Sequence, residues 1–163
     1  MKKDKFLTVY AVLDQNTQDI LQALQNQILK KYPNGTQTMN IPFHISLGSF
    51  PLEEKNTLIR RIGDVIEQTD SFEIRIEGLD HFGYSVIFAV PQENKNVTRL
   101  HEIFNGNYSD GYPWHPHITL YCGTKEEGEQ ILKEFSVSSI NAHIVGIQLG
   151  EFFPTKIILD SKF

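Results

Sequence analysis

Two short stretches of this chain carry the same phrase. Residues 43–47 read FHISL, and residues 117–121 read HITLY. Each is a histidine, an apolar residue, a hydroxyl residue and a leucine. The elements around them repeat as well. An apolar, β-branched run at 7–13 predicts a strand. Thr17 then predicts a helix cap, with Ile20, Leu21, Leu24, Ile28 and Leu29 at helical spacing, and the Pro33–Gly35 triplet stops the helix. Alternation over 41–47 predicts the second strand. Pro51 opens a second helix with Leu58, Ile59, Ile62, Val65 and Ile66 inward, and residues 72–76 form a third strand before a turn near 78–83.

The second half repeats this order. A buried strand is expected at 84–90, and a helix over about 94–105 that Gly106 ends. The second phrase follows. Thr124 and Glu127 then have capping-box spacing ahead of Ile131, Leu132 and Phe135. Strands at 140–149 and 156–159 close the chain. The order is β-α-β-α-β twice, plus a final strand, with the phrase on the middle strand, in chain order, of each half. That constrains the fold to an α+β, bilobal and pseudo-symmetric arrangement. Mainly antiparallel sheets should face a central cleft, with helices outside. The expected division is one domain, 1–163, with lobes at about 1–82 and 83–163 and strands free to swap between them.

In a strand, alternate side chains point to opposite faces. His44 and Ser46 therefore share one face, and Phe43, Ile45 and Leu47 the other. His117 and Thr119 likewise oppose Ile118 and Leu120. Two such strands facing each other surround one volume with two imidazoles and two hydroxyls. That set suits phosphoryl transfer. A neutral imidazole takes a proton from water, and a protonated one gives a proton to a leaving alkoxide, both accessible near the ordinary histidine pKa of about 6.5. The hydroxyls donate to the non-bridging oxygens. A single His-x-Thr on a strand usually marks a satisfied, half-buried histidine. Two copies in matching elements favour a shared function.

Other residues offer alternatives. His115, two positions before His117, could join His44 and His117 in a three-histidine metal site, since His-x-His on a strand is a ligand spacing. Such a site would leave Ser46 and Thr119 unexplained. Among the aromatics near the phrases (Phe43, Phe50, Trp114, Tyr121, Phe152 and Phe153), one or two are expected to stack on a base. Trp114 leads because it follows a Gly/Pro loop, and Tyr121 and Phe43 flank the motifs. Residues 111–114 and 151–154 are expected at the cleft mouth. Lys156 is expected to be a solvated strand lysine, Cys122 a small buried residue without a catalytic partner, and His81, His101 and His143 structural or on the surface.

Net charge of −5 argues against coating long duplex nucleic acid through backbone charge, while leaving room for a small phosphate ligand. One cysteine excludes an internal disulfide framework and fits a reducing compartment. The run at 6–13 lacks a small-residue cleavage site, so a strand is expected there, not a signal peptide. No stretch approaches transmembrane length. A monomeric, cytoplasmic protein without cofactor or membrane partner is expected.

The phrases at 44–47 and 117–120, the latter preceded by Pro116 as PHITL, resemble the paired His-x-Thr/Ser motifs of the two-histidine (2H) phosphoesterase superfamily, which includes the 2'-5' RNA ligase-like proteins and the cyclic phosphodiesterases. The resemblance spans nearly the whole chain, and its specificity lies in the pair of motifs. Ser46 stands where threonine is more usual, keeping the donor without the methyl that restricts its rotamers. The resemblance implies a bilobal fold, metal-independent chemistry, and 2',3'-cyclic or related cyclic phosphates of nucleotides or RNA termini as substrates. It implies His117 as the base, His44 as the acid, and Ser46 and Thr119 as the phosphate grip. A non-catalytic phosphate or RNA-end binding module of the same fold, and the metal-dependent hydrolase with His44, His115 and His117, remain the alternative readings.

Overall fold

A computed structural model describes residues 5–37, 40–105 and 113–163. The expected helix end at Gly106, and Gly111 and Tyr112 of the expected mouth loop, lie outside them. The strands are β1 (Phe6–Leu13), β2 (His44–Phe50), β3 (Phe72–Phe82), β4 (Val86–Pro91), β5 (Ile118–Cys122), β6 (Ile140–Phe152) and β7 (Lys156–Lys162). The helices are α1 (Gln15–Lys31), α2 (Lys55–Gln68), α3 (Lys95–Ile103) and α4 (Lys125–Glu134), with a short 3-10 turn at Leu52–Glu54. The order is β-α-β-α-β twice plus β7, as the sequence predicts.

The seven strands form one antiparallel hydrogen-bonded network in the order β2-β1-β6-β3-β4-β5, with β7 also on β6. β6 is the seam. Its first residues, Ile140–Ile144, pair with β3, while Gly146–Glu151 pair with β7. β1 runs along Ile144–Phe152. One arm is therefore β2, β1, β7 and the second half of β6, and the other is β5, β4, β3 and the first half of β6. β3 belongs with the second arm, and β7 with the first. The middle strands of the two halves in chain order are the outermost strands of the network. β2 and β5 stand at its two ends, and they approach each other: Trp114, just before β5, donates its indole N–H to the carbonyl of Ser46 in β2 at 3.0 Å.

Helix α1 starts three residues earlier than its Thr17 signal suggests. Asp14 is the cap. Its carboxylate accepts from Thr17 N–H at 3.3 Å and from the Thr17 hydroxyl at 2.7 Å, and from His143 N–H at 2.8 Å. A carboxylate with three donors outcompetes a hydroxyl with one. Burial works against the Asp14 charge, but these hydrogen bonds outweigh it and hold the carboxyl below its usual pKa. The inward row of α1 is Thr17, Leu21, Gln25 and Ile28, while Ile20 is 42% exposed. Gln25 is tolerated in that row because its amide donates to Leu120 O at 2.8 Å.

Strand β2 begins at His44, later than the alternation suggests. The Gln18 side chain takes up both backbone groups of Phe43, donating to its carbonyl and accepting from its N–H, each at 2.8 Å. That segment is satisfied by a helix side chain and has no need of a sheet partner. Gly78 lies inside β3, not at a turn. It has φ +88 where the β3–β4 register shifts between Ile76 and Leu79, as a bulge requires. The reversal comes at Gly83 (φ +56) and Tyr84 (φ +60).

The core lies under the apolar faces of both arms. Leu7, Val9, Ala11, Ile45, Leu47, Ile118, Leu120, Ile147 and Leu149 are all fully buried in one cluster, covered by Leu58 and Ile62 of α2 and Leu100 of α3. A second cluster joins Ile28 of α1, Ile87, Tyr121 and Ile131 of α4 behind β5. No helix among the described residues is long and apolar enough to cross a membrane.

Candidate active site

The fold brings the two phrases toward each other. His44 and Ser46 are half-buried while Ile45 and Leu47 between and beyond them are fully buried. His117 and Thr119 are half-buried while Ile118 and Leu120 are fully buried. His44 and Thr119 line one cleft of about 240 Å³ together with residues of α1.

The rings are anchored in the same way. His44 Nδ1 lies 2.8 Å from the carbonyl of Pro42, and His117 Nδ1 lies 2.7 Å from the carbonyl of His115. In both cases the partner is two residues back. A carbonyl only accepts, so each Nδ1 carries the proton and donates it. Each Nε2 is then the unprotonated nitrogen of the neutral ring, free for proton transfer.

Both rings are pushed toward the neutral form. Burial pushes the His44 pKa down to about 4, against the bond to Pro42 O, which raises it; the neighbouring His117 lowers it further. His117 is also lowered, first by burial and then by His115, with its own carbonyl bond opposing. An imidazolium in either position needs an anion beside it.

The packing around the rings was not legible in the motifs. The ring of Tyr10 lies 4.4 Å from that of His44 at 45°. Its hydroxyl donates to Gln148 at 2.8 Å, and Gln148 donates to Asp160 at 3.0 Å. Tyr10 is therefore a fixed floor beneath His44. His117 stands edge-on to two phenylalanines, Phe82 at 4.8 Å and 85° and Phe88 at 5.4 Å and 61°. Tyr10, Phe82 and Phe88 all lie on strands, and only pairing between distant segments brings them here. The one available signal was alternation in β1, which sets Tyr10 apart from Val9 and Ala11.

The remaining expected site residues separate. His115 shares the Phe82 and Phe88 neighbourhood with His117, at 5.9 and 5.7 Å, but is exposed. Among the described residues no three His, Cys, Asp or Glu side chains are grouped to hold a metal ion, so the three-histidine arrangement is not formed. Phe43 lines the cleft. Trp114 has one face taken by His101, parallel at 3.9 Å, while His101 Nδ1 is bonded to Leu47 O at 2.8 Å. With its N–H on Ser46 O, the indole is a strut between the two motif strands, and on its side of the molecule Trp114 also lines a second cleft with His115 and Pro116. His101, expected to be structural or on the surface, is part of that strut.

Tyr121, expected as a flanking aromatic of the site, turns elsewhere. It is fully buried in the cluster behind β5, with its hydroxyl on Glu127 of α4 at 2.5 Å. Tyr121 pairs with Ile87 and Thr119 pairs with the adjacent Phe88, so Leu120 is an extra residue. A bulge of one residue reverses the face of everything after it. Tyr121 therefore turns away from the face of His117 and Thr119. Lys156 forms an ion pair with Glu151 at 3.3 Å. Cys122 is half-buried, and burial pushes its thiol pKa up, away from nucleophilic use.

The fold and the sequence both have relatives. Over 96% of this chain and 97% of that chain, the structure superposes on the crystal structure of TT0787 of Thermus thermophilus, with a TM-score of 0.66 and 16% identity. Over 99% of each chain it superposes on E. coli LigT, determined in complex with NADP+, with a TM-score of 0.57 and 12% identity. At these identities the likeness is one of fold. No curated protein matches the sequence significantly. The profile of the 2'-5' RNA ligase superfamily matches residues 39–150, more than half of the chain and a span that holds both histidine phrases. The chain belongs to the 2'-5' RNA ligase superfamily, within the two-histidine phosphoesterases.

Proposed function

We propose that the protein hydrolyses a cyclic phosphodiester, a 2',3'-cyclic phosphate or a close relative, at the end of a nucleotide or RNA, without a metal ion. The observation that carries this reading is the matched anchoring of the two imidazoles. Both Nδ1 atoms are tied to backbone carbonyls two residues back, so both Nε2 atoms are free beside a hydroxyl on the same strand face. His117 Nε2 takes a proton from water as the water oxygen bonds to phosphorus. The bond from phosphorus to the 2' or 3' oxygen breaks, and that oxygen takes a proton from His44 Nε2. One water is consumed, a phosphomonoester forms, and the two rings exchange protonation states before the next turnover. Ser46 and Thr119 donate to the non-bridging oxygens, where charge is held through the transition state. A phosphate anion beside His44 favours its imidazolium.

The test is hydrolysis of the four nucleoside 2',3'-cyclic monophosphates by the wild-type protein in excess chelator. Turnover is expected. No turnover of any of them, or turnover that the chelator abolishes, would overturn the reading.

The pH dependence follows from the shifts. One ring must be neutral and the other charged, so kcat/KM follows a bell whose limbs are the two free-enzyme histidine pKa values. Both lie below the ordinary value of 6.5, with His44 at about 4. The kcat/KM optimum is therefore expected on the acid side of about 6.5. The kcat profile is expected at higher pH, because the bound phosphate raises both values. A kcat/KM that climbs steadily through alkaline pH would exclude a histidine acid.

A further inference from the structure

The part of the cleft beside His44 is walled by carboxamides. Gln18, Gln22 and Gln25 of α1 line it with Gln37, Asn40 and Phe43, and among the described residues no Lys, Arg, Asp or Glu does. The three α1 glutamines recur at i, i+4 and i+7, one face of the helix.

They are held differently. The Gln18 amide is committed to Leu13 O and to both backbone groups of Phe43. The Gln25 amide is 5% exposed and donates to Leu120 O, in the motif strand next to Thr119. Gln22 is exposed, and its Nε2 donates to Gln25 Oε1 at 3.0 Å and to Asn26 Oδ1 at 2.9 Å. Those two bonds orient its head group. Its Oε1 accepts from no group among the described residues. A chain of amides thus runs from the motif strand through Gln25 to one free acceptor on the cleft wall.

An uncharged wall gives no compensation to a second phosphate or a carboxylate, which would lose hydration without a partner. Carboxamides place donors and acceptors side by side, as base edges do, and asparagine and glutamine pair with bases for that reason.

We infer that this part of the cleft receives the nucleobase of the substrate, and that the free Oε1 of Gln22 accepts from the exocyclic amine of that base. The inference rests on the phosphoesterase reading of the neighbouring histidines, and it makes Gln22 a specificity residue with no part in proton transfer. Amine-bearing bases are favoured. Cytosine and uracil are the discriminating pair, because they differ at the position where one has an amine and the other a carbonyl.

The test is calorimetric binding of cytidine 2'-monophosphate, uridine 2'-monophosphate and ribose 2-phosphate to wild type, Gln22→Ala and Gln22→Glu. The wild type is expected to prefer cytidine to uridine by about tenfold, the worth of one hydrogen bond. It should bind ribose phosphate more weakly than either. Gln22→Ala should bring the two nucleotides within about twofold, with ribose phosphate binding unchanged, while Gln22→Glu, which loses both orienting bonds and adds a negative charge, should weaken the binding of all three phosphates. Equal binding of the two nucleotides by wild type, binding of ribose phosphate as tight as that of cytidine 2'-monophosphate, or an unchanged ratio in Gln22→Ala would each overturn the inference. None of these readouts needs turnover. A protein that binds with the expected preference but hydrolyses no cyclic phosphate overturns the hydrolase reading alone. One that hydrolyses all four without discrimination overturns the base subsite alone.

Discussion

Replacing His44 or His117 by alanine is expected to lower kcat on a 2',3'-cyclic nucleotide by about 10²- to 10⁴-fold, the range of a positioned acid or base. The fold should survive. Each ring hydrogen-bonds to a carbonyl two residues back in the segment leading into its motif strand, so no long-range backbone pairing is lost. The fully buried residues that hold β2 and β5 in place, Ile45, Leu47, Ile118 and Leu120, are untouched. Single variants and the double variant should be about equally slow, because an acid and a base serving one transition state fail as a unit. Circular dichroism melts at neutral pH would establish the folded state, and single-turnover rates the chemistry. A near-normal rate in either single variant would remove that histidine from the mechanism.

The same variants carry a linkage signature. A histidine lowered to about 4 in the fold and near 6.5 unfolded binds more protons when unfolded between those values. The stability it contributes as a neutral group is present above about 6.5 and is lost as pH falls toward about 4. His44→Ala should therefore lose less stability on acidification than wild type does.

The second large effect is on stability, at Gly128. In an exposed helix interior, glycine to alanine gains about 1 kcal/mol. Here the sign should reverse. Gly128 is buried in α4, and a Cβ there would stand well inside van der Waals contact with the backbone carbonyl of Tyr84, with Ile87 also close. That carbonyl has little room to retreat, since Gly83 and Tyr84 make the positive-φ reversal between β3 and β4. Gly128→Ala should cost about 1–3 kcal/mol, as overpacked cores do. Gly63 in α2 is the control, since it is exposed and its Cβ would meet nothing. Gly63→Ala should gain up to about 1 kcal/mol. Urea titration of the two variants checks both signs. An unfolding midpoint raised by Gly128→Ala would mean that α4 stands off the hairpin. Because Ile131 of α4 packs on Tyr121 behind β5, the destabilised variant should also raise KM, through Thr119 on the same strand.

Much of the site was readable from local pattern. Alternation in the phrases placed His44 and Ser46 on one face and His117 and Thr119 on one face, and the burial of their apolar neighbours agrees. The capping spacing of Thr124 and Glu127 is realised, with Thr124 accepting from Glu127 N–H at 3.2 Å. Local pattern failed where a contact from elsewhere intervened. Thr17 carries a cap signal, but Asp14 wins with the help of His143, which lies in β6. Tyr121 keeps the period of its strand on paper and loses it to a bulge that exists only in the pairing with β4. Nothing local shows that His101 stacks on one face of Trp114 or that its N–H reaches Ser46 O.

By itself, the sequence determined the element order, the two-sided strands and the pairing of each histidine with a hydroxyl. Helical and strand periods are properties of neighbouring residues, so a linear chain displays them. The tertiary structure alone decided that the motif strands end the network and approach each other, and that Tyr10, Phe82 and Phe88 surround the imidazoles. It alone decided that glutamines of α1 wall the cleft. Those outcomes depend on register and on contacts between segments far apart in the chain, where no local period constrains which residues meet.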